Sequence, residues 1–176
     1  MEVIKLVTGL LDENCYILKE NDHCLVVDPG DDYQDIKEKI GDSKVLGILI
    51  THSHFDHIGA LRNFLTKKGI KIFKKSNLED DKVYEVGEFK FKCYYTPGHS
   101  ADSVSFYFEK DKALFVGDFI FQGSIGRCDL PTGSSEQMAK SIKKLKETFD
   151  EDVTLYTGHY EITTLKDEIK TNPYLK

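Results

Sequence analysis

The sequence has few of the residues that mark several large classes of protein. It contains no tryptophan, four prolines, four cysteines and six histidines among 176 residues. The cysteines show no C-x-x-C spacing, and without a secretion signal we expect reduced thiols in a cytoplasmic protein. At this length folding buries roughly 70% of the unfolded chain's surface, so a core can form without disulfide bonds.

Long apolar runs are also missing. The longest covers residues 45–50 and contains a glycine, which is the length of a buried strand and far short of a membrane span. The N-terminal segment carries Glu2 and has neither a long apolar region nor a small-residue cleavage site. We therefore expect no signal peptide and no membrane partner.

An excess of basic residues is missing as well. Lysine and arginine number 24 against 30 aspartates and glutamates, which gives a formal net charge of −6. General binding to nucleic acid needs a basic surface that displaces counterions, so we expect no nucleic-acid partner. The lysines at 67–75 are interpreted as a solvated edge rather than a binding patch.

Hydrophobic periodicity predicts many short strands and a few helices. Strands are predicted at 2–7, 14–19, 23–28, 45–50, 70–73, 82–86, 89–96, 103–109, 113–116 and 153–156. Helices are predicted at 33–40 and 57–68. A third begins at a capping box at 134–137 and runs to Phe149, and a fourth runs from about Thr164 to Asn172. Strands and helices alternate in two similar halves. We expect one domain over 1–176 with two sheets face to face and helices outside, although periodicity alone does not fix this arrangement.

The segment Thr51-His52-Ser53-His54-Phe55-Asp56-His57 carries the strongest chemical signal. It places three of the six histidines and one aspartate directly after a predicted buried strand. Neutral imidazole and carboxylate are ligands that a divalent ion such as zinc accepts at neutral pH. His52 and His54 can face one ion, whereas Asp56 and His57 continue the turn and can face a second ion beside it.

Other candidate ligands lie at the same kind of position. His99, Asp118 and His159 each follow a predicted strand. If these strands share one orientation, their loops gather along one edge of the sheets. His23 lies outside this pattern and is interpreted as a surface residue at a strand edge.

Several segments along most of the chain resemble the metallo-β-lactamase-fold hydrolases, and among them the glyoxalase II-like (hydroxyacylglutathione hydrolase-like) group. These segments are Asn14-Cys15-Tyr16, Val27-Asp28-Pro29-Gly30, the motif at 51–57, Thr96-Pro97-Gly98-His99-Ser100, Gly117-Asp118, 123–131 and 157–174. The resemblance implies a fold of class α/β (α+β), a four-layer αβ/βα sandwich, which agrees with the order of elements.

The resemblance also implies an assignment of ligands that spacing alone does not give. One ion would be held by His52, His54 and His99, and the other by Asp56, His57 and His159. Asp118 would bridge both, and its presence favours the hydrolase branch over true β-lactamases. Asp28 would be a buried carboxylate that orients a ligand imidazole, with a simple turn residue as the alternative.

The implied activity is hydrolysis of a thioester or a related acyl bond in a small-molecule substrate. Two divalent ions, zinc by expectation with iron or manganese as alternatives, would supply hydroxide at neutral pH and polarise the acyl oxygen. Asp56 would orient this hydroxide and take its proton. A departing thiolate needs no strong general acid.

The sequence departs from full-length glyoxalase II near its end. Only 17 residues follow His159, so most of the C-terminal helical domain that contacts glutathione is missing, and Tyr160-Glu161 replace a frequent Gly-Pro. Tyr160 and Arg127 are candidate substrate-binding residues, with an ion pair inside the loop as the alternative for Arg127. Recognition of glutathione is therefore left open.

Three other functions are compatible with these residues. A persulfide dioxygenase-like enzyme would hold one iron with His52, His99 and Asp118. A phosphodiesterase or nuclease of the same fold is disfavoured by the acidic charge. A structural metal site is disfavoured because such sites are usually closed by four ligands, often cysteines, and no cysteine lies in the cluster.

Overall fold

A computed structural model describes residues 1–176. The strands of the first part of the chain form a five-stranded sheet. Its strands, in spatial order, are β1 (Glu2–Thr8), β2 (Glu13–Glu20), β3 (His23–Val27), β4 (Lys44–Leu49) and β5 (Lys71–Phe73). The pairs β1–β2 and β2–β3 are antiparallel, whereas β3–β4 and β4–β5 are parallel.

The later part of the chain forms a six-stranded sheet with the spatial order β13-β12-β9-β8-β7-β6. Its strands are β6 (Lys82–Val86), β7 (Phe89–Tyr95), β8 (Val104–Phe108), β9 (Ala113–Gly117), β12 (Thr154–Thr157) and β13 (Thr163–Thr164). Between β9 and β12, a small separate hairpin pairs β10 (Ile120–Phe121) with β11 (Ser124–Ile125).

Five helices accompany the sheets: α1 (Tyr33–Ile40), α2 (Phe55–Ile58), α3 (Leu61–Leu65), α4 (Ser135–Thr148) and α5 (Leu165–Thr171). The Ser134 hydroxyl accepts a hydrogen bond from the Gln137 amide, and the Thr164 hydroxyl accepts one from the Asp167 amide. These are N-terminal caps at the predicted residues. None of the helices has the length and apolar character needed to cross a membrane.

Three separate apolar clusters show how the layers stack. The largest lies between the two sheets and is rich in aromatic rings, including Phe91, Phe106 and Phe115. A second joins α1 and α3 to the outer face of the first sheet, and a third joins α4 and α5 to the outer face of the second sheet. Three apolar seams separate four layers, so the predicted αβ/βα sandwich is confirmed.

One helix prediction is wrong in its extent. The spacing predicts a single helix over 57–68, whereas the structure has the two short helices α2 and α3, interrupted at Gly59 and Ala60. The Ala60 amide donates to the carbonyl oxygens of Pro29 and Gly30, distant in the chain, instead of continuing the helical pattern. A Cβ at Gly59 would lie 2.2 Å from the Gly30 oxygen, so the chains meet too closely for any side chain.

The orientation of the strands explains where the candidate ligands gather. Strands β3 and β4 run parallel, and β9 and β12 run parallel. Strand β7 is antiparallel to β8, which is antiparallel to β9, so β7 shares the direction of β9 and β12. The loops that follow β7, β9 and β12 therefore leave the same edge of the second sheet, as the sequence analysis requires.

Candidate metal centre

Three imidazole nitrogens converge at the first group of predicted ligands. His54 Nδ1 lies 3.1 Å from His52 Nε2 and 2.9 Å from His99 Nε2. His52 and His54 come from the loop after β4, and His99 comes from the loop after β7. Three nitrogens this close together form a donor set that one divalent ion can hold.

Two imidazoles and a carboxylate form the second group. Asp56 Oδ2 lies 3.3 Å from His159 Nε2 and 3.7 Å from His57 Nε2. Asp56 and His57 belong to α2, which begins within the motif at Phe55, whereas His159 follows β12. This group also has the composition and spacing of a divalent-ion site.

Asp118 lies between the two groups. Its Oδ1 is 3.3 Å from His57 Nε2, and its Oδ2 is 3.4 Å from His99 Nε2 and 3.6 Å from His159 Nε2. The turn of Gly117, with φ 52°, places this carboxylate at the end of β9. One carboxylate therefore reaches both groups, which is the position of a bridging ligand.

Backbone oxygens fix the protonation of two imidazoles. His99 Nδ1 donates to the Arg127 carbonyl oxygen at 2.8 Å, and His159 Nδ1 donates to the Leu11 carbonyl oxygen at 3.1 Å. A carbonyl oxygen only accepts, so the proton of each neutral ring sits on Nδ1. The lone pair on Nε2 is then directed into the centre, as a metal ligand requires.

Asp28 and Thr51 orient one imidazole in each group. His57 Nδ1 donates to Asp28 Oδ2 at 3.0 Å, and the Thr51 hydroxyl donates to the same oxygen at 2.5 Å. The Thr51 oxygen in turn accepts from His52 Nδ1 at 3.1 Å. Asp28 thus touches a candidate ligand as the sequence suggests, while the part played by Thr51 was not anticipated.

The backbone just before His159 passes very close to two candidate ligands. A Cβ at Gly158 would lie 2.3 Å from Asp118 Oδ1 and 2.8 Å from His57 Cε1. Only glycine fits here, because any larger residue would occupy the space between two candidate ligands. Asp28 itself adopts φ 47°, a left-handed conformation that places its carboxylate beneath the motif.

Two unpartnered atoms support the fit of the residues to metal. His57 Nε2 and Asp118 Oδ1 are buried and form no hydrogen bond, although buried polar atoms are normally paired. Burial opposes the charge of Asp118, but contact with His57 outweighs it and holds the Asp118 pKa far below its usual range. A buried carboxylate beside imidazole nitrogens is a donor set suited to a divalent cation, which would replace the proton of His57.

Residues without an assigned role in the sequence also support the centre. The Asn14 side chain donates to the carbonyl oxygens of Thr157 and Tyr160, and the Tyr16 hydroxyl donates to the Thr157 oxygen at 2.7 Å. These bonds connect β2 to the loop that carries His159. The resemblance included Asn14 and Tyr16, but nothing in their spacing indicated this contact across 141 and 143 positions.

Glu13 is a second buried carboxyl behind His57. Its Oε1 lies 3.6 Å from His57 Nδ1, and its Oε2 accepts from the Thr8 hydroxyl at 2.8 Å. Burial raises the pKa of Glu13 to about 9. The side chain is therefore uncharged at neutral pH and adds no negative charge beside His57.

The centre opens into a cleft of about 590 Å³, lined by ligands of both groups and by Phe55 and Arg127. Arg127 Nε and Nη2 donate to the two oxygens of Asp129 at 2.7 Å each, so the ion pair considered for this loop is present. Tyr160 does not line the cleft itself. Its ring stands beside those of His159 and Phe121, with centroids 6.3 and 5.4 Å away.

Comparison with known proteins identifies the family to which the chain belongs. The family model described as "Metallo-beta-lactamase superfamily" matches residues 8–80 and 67–159. The probable metallo-hydrolase YqgX of Bacillus subtilis (strain 168) is 32% identical, over 97% of this chain and 96% of its own.

A second relative is longer than this chain. A hydroxyacylglutathione hydrolase of Psychromonas ingrahamii is 32% identical over 90% of this chain. The alignment covers only 66% of that protein.

A crystal structure shows the same architecture over the full length. The BLEG-1 B3 metallo-beta-lactamase superimposes with a TM-score of 0.91 and 30% identity, covering 99% of this chain and 100% of that one. The chain belongs to the metallo-beta-lactamase superfamily and has its fold.

Proposed function

We propose that this protein is a dinuclear metal-dependent hydrolase that cleaves a thioester or a related acyl bond of a small molecule. The position of Asp118 carries the proposal, because this one carboxylate lies 3.3 Å from His57 of one ligand group and 3.4 Å from His99 of the other. The names of the two relatives, a probable metallo-hydrolase and a hydroxyacylglutathione hydrolase, support the reaction class.

The residues fit two divalent ions, with zinc as the expected metal and iron or manganese as alternatives. His52, His54 and His99 would hold one ion, Asp56, His57 and His159 the other, and Asp118 both. Such a pair lowers the pKa of water towards neutrality and polarises an acyl oxygen. The set contains imidazole and carboxylate but no thiolate, which suits all three metals.

Asp56 is the proposed proton acceptor. Burial opposes its charge, but the contact with His159 outweighs this effect and lowers the pKa of Asp56, so the carboxylate is ionised at neutral pH. It borders the cleft, where it can orient an attacking water and take its proton. His159 is fixed by the Leu11 carbonyl oxygen and therefore keeps Asp56 in place.

The substrate contacts remain proposals. Tyr160 stands at the edge of the centre, and Arg127 reaches the cleft but is already paired with Asp129. Arg127 would have to exchange Asp129 for a substrate carboxylate, so a role in binding glutathione is the weaker of its two assignments. The cytoplasmic location and the expected lack of nucleic-acid and membrane partners stay predictions.

The proposal is tested on protein purified without chelator. We expect about two divalent ions per chain and hydrolysis within a panel of thioesters and esters that includes S-lactoylglutathione. One iron per chain with oxygen uptake would instead indicate the persulfide dioxygenase-like alternative. A β-lactam and a phosphodiester belong in the panel, because the BLEG-1 neighbour is named a β-lactamase.

A further inference from the structure

Exposed large apolar side chains lie in and next to the cleft, because Leu11 and Phe55 line it, Leu10 precedes Leu11, and Tyr160 follows His159. Leu10 is 102% exposed, Leu11 51%, Phe55 75% and Tyr160 67%. These four, called the apolar rim below, are among the nine large hydrophobic side chains that are exposed in the whole chain. Scattered surface apolar residues are ordinary, but a group around a concave site marks contact with a ligand.

Three members of the rim are connected directly to the candidate centre, and the fourth, Leu10, precedes Leu11 in the chain. Leu11 lines the cleft and gives its carbonyl oxygen to His159, while Phe55 lines the cleft between His54 and Asp56. Tyr160 follows His159 in the chain. The rim therefore lies beside the candidate ligands that a substrate's reacting carbon must approach.

The backbone holds the rim in fixed positions. The turn that carries Leu10 and Leu11 is anchored where the Gly9 amide donates to Asp32 Oδ2 at 2.8 Å. Tyr160 adopts φ 65°, a left-handed conformation that bulky side chains rarely take, and its carbonyl oxygen accepts from Asn14. An exposed aromatic ring in a disfavoured conformation is more easily explained by binding than by packing.

The charged side chains in the cleft also favour an uncharged, apolar ligand. Arg127 is the one lysine or arginine among the lining residues, and Asp129 occupies two of its donors. Asp102 adds a carboxylate to the wall, bonded to the hydroxyls of Ser53 and Ser100. A substrate carboxylate finds no free cationic side chain here, whereas an uncharged apolar group finds the rim.

We propose that the apolar rim binds an uncharged, apolar acyl group of the substrate, so that the enzyme prefers medium-chain or aromatic acyl thioesters over short or charged ones. This inference rests on the proposed thioester hydrolysis at the metal centre. Burying methylene groups against Leu11 and Phe55 stabilises the bound substrate in proportion to the apolar area covered.

Four probe substrates separate the effect of the acyl group on kcat/KM from the effect of the leaving thiol. Acetyl and hexanoyl thioesters are each made with N-acetylcysteamine, which is uncharged, and with glutathione. For the metal-loaded protein we expect kcat/KM to be at least roughly tenfold higher for hexanoyl than for acetyl with either thiol, and no preference for glutathione.

Variants then test the rim itself. Leu11→Ser and Phe55→Ser should lower kcat/KM for the hexanoyl thioesters roughly tenfold, mainly through KM, and leave the acetyl thioesters within about twofold. Tyr160→Gly relieves the left-handed conformation, so it should reduce the hexanoyl preference without lowering the melting temperature. Leu65→Ser changes an exposed leucine on α3 outside the cleft and should leave kcat/KM unchanged for both acyl groups.

The outcomes distinguish this inference from the function on which it rests. If acetyl and hexanoyl thioesters react equally well, or the rim variants change both equally, the rim does not bind the acyl group although the enzyme is a thioesterase. If neither is hydrolysed by protein with two ions, the thioesterase assignment itself fails. A dimer in sedimentation that Leu10→Ser disperses would assign the rim to a second copy and overturn the inference.

Discussion

The two ligand groups hold their imidazoles in different states of charge. In the first group, burial lowers the pKa of His52 and His54, so both rings are neutral at pH 7. In the second, burial also opposes charge, but neighbouring carboxylates outweigh it and raise the pKa of His57 and His159. The two buried rings of the first group are therefore ready to bind a cation, whereas in the second group the ion must displace the proton of His57.

The groups also differ in how they are supported. His52 and His57 share the buried Asp28–Thr51 pair, so this support serves one ring in each group. His159 depends on a turn of the N-terminal hairpin, through the Leu11 carbonyl oxygen. The second group is thus the more dependent on contacts between distant parts of the chain, and variants should separate the two.

The largest effect is expected where the groups meet. Asp118→Asn keeps the shape but removes the charge that faces both groups, so we expect a fall in kcat of at least roughly a thousandfold and fewer than two ions per chain. Metal analysis and thioester turnover measure these effects. Asp102→Asn, in the wall of the same cleft, is the matched control and should retain both ions.

Acid should empty the second group before the first. His57 carries a proton in the metal-free protein because its pKa is raised, so an ion must displace that proton. Affinity at the second group should then fall roughly tenfold per pH unit, about a hundredfold from pH 7 to pH 5. Equilibrium dialysis against zinc should show two steps, and a single step with both ions lost together would contradict the difference in charge.

Loss of one hydroxyl should weaken both groups. Thr51→Val removes the oxygen that bridges Asp28 and His52, so we expect affinity to fall roughly 10- to 100-fold for both ions, with altered visible bands of the cobalt-substituted protein. Thr51→Ser keeps the hydroxyl, so it should retain the wild-type affinity for both ions. Thr96→Val breaks a comparable buried hydroxyl contact, with Ser105, and should leave the bands unchanged.

The smallest effect is expected from the support of the His159 loop. Asn14→Ala removes two hydrogen bonds to the backbone around His159, so the second ion should bind several-fold more weakly while the first is retained. Tyr16→Phe removes one bond to the same loop and should have a lesser effect. Titration calorimetry with zinc distinguishes the two ions, and equal weakening of both would show that the groups are not separately supported.

Much of the centre could be predicted because its ligands are local in sequence or follow strands. The motif at 51–57 supplies four candidate ligands in six residues, and the loops after β7, β9 and β12 supply the others at one edge. Asp28 could be suggested from its place after β3. Strand direction, which periodicity cannot give, decides that these loops meet.

The features that escaped prediction depend on contacts between distant segments. The break between α2 and α3 follows from hydrogen bonds of Ala60 to Pro29 and Gly30, which no local pattern reveals. The hairpin of β10 and β11 has two residues per strand and is too short for a periodic signal. The role of Thr51 requires Asp28 to lie beside it, 23 positions away in the chain.

The division of the ligands along the chain has a mechanical consequence. Residues of the first sheet's half supply His52, His54, Asp56 and His57, while His99, Asp118 and His159 come from the half that forms the second sheet. Neither half alone completes the ligand set of either ion. Each bound ion would cross-link the two layers of the sandwich, so part of its binding free energy would resist their separation, and chelation would loosen the protein at the seam between its sheets.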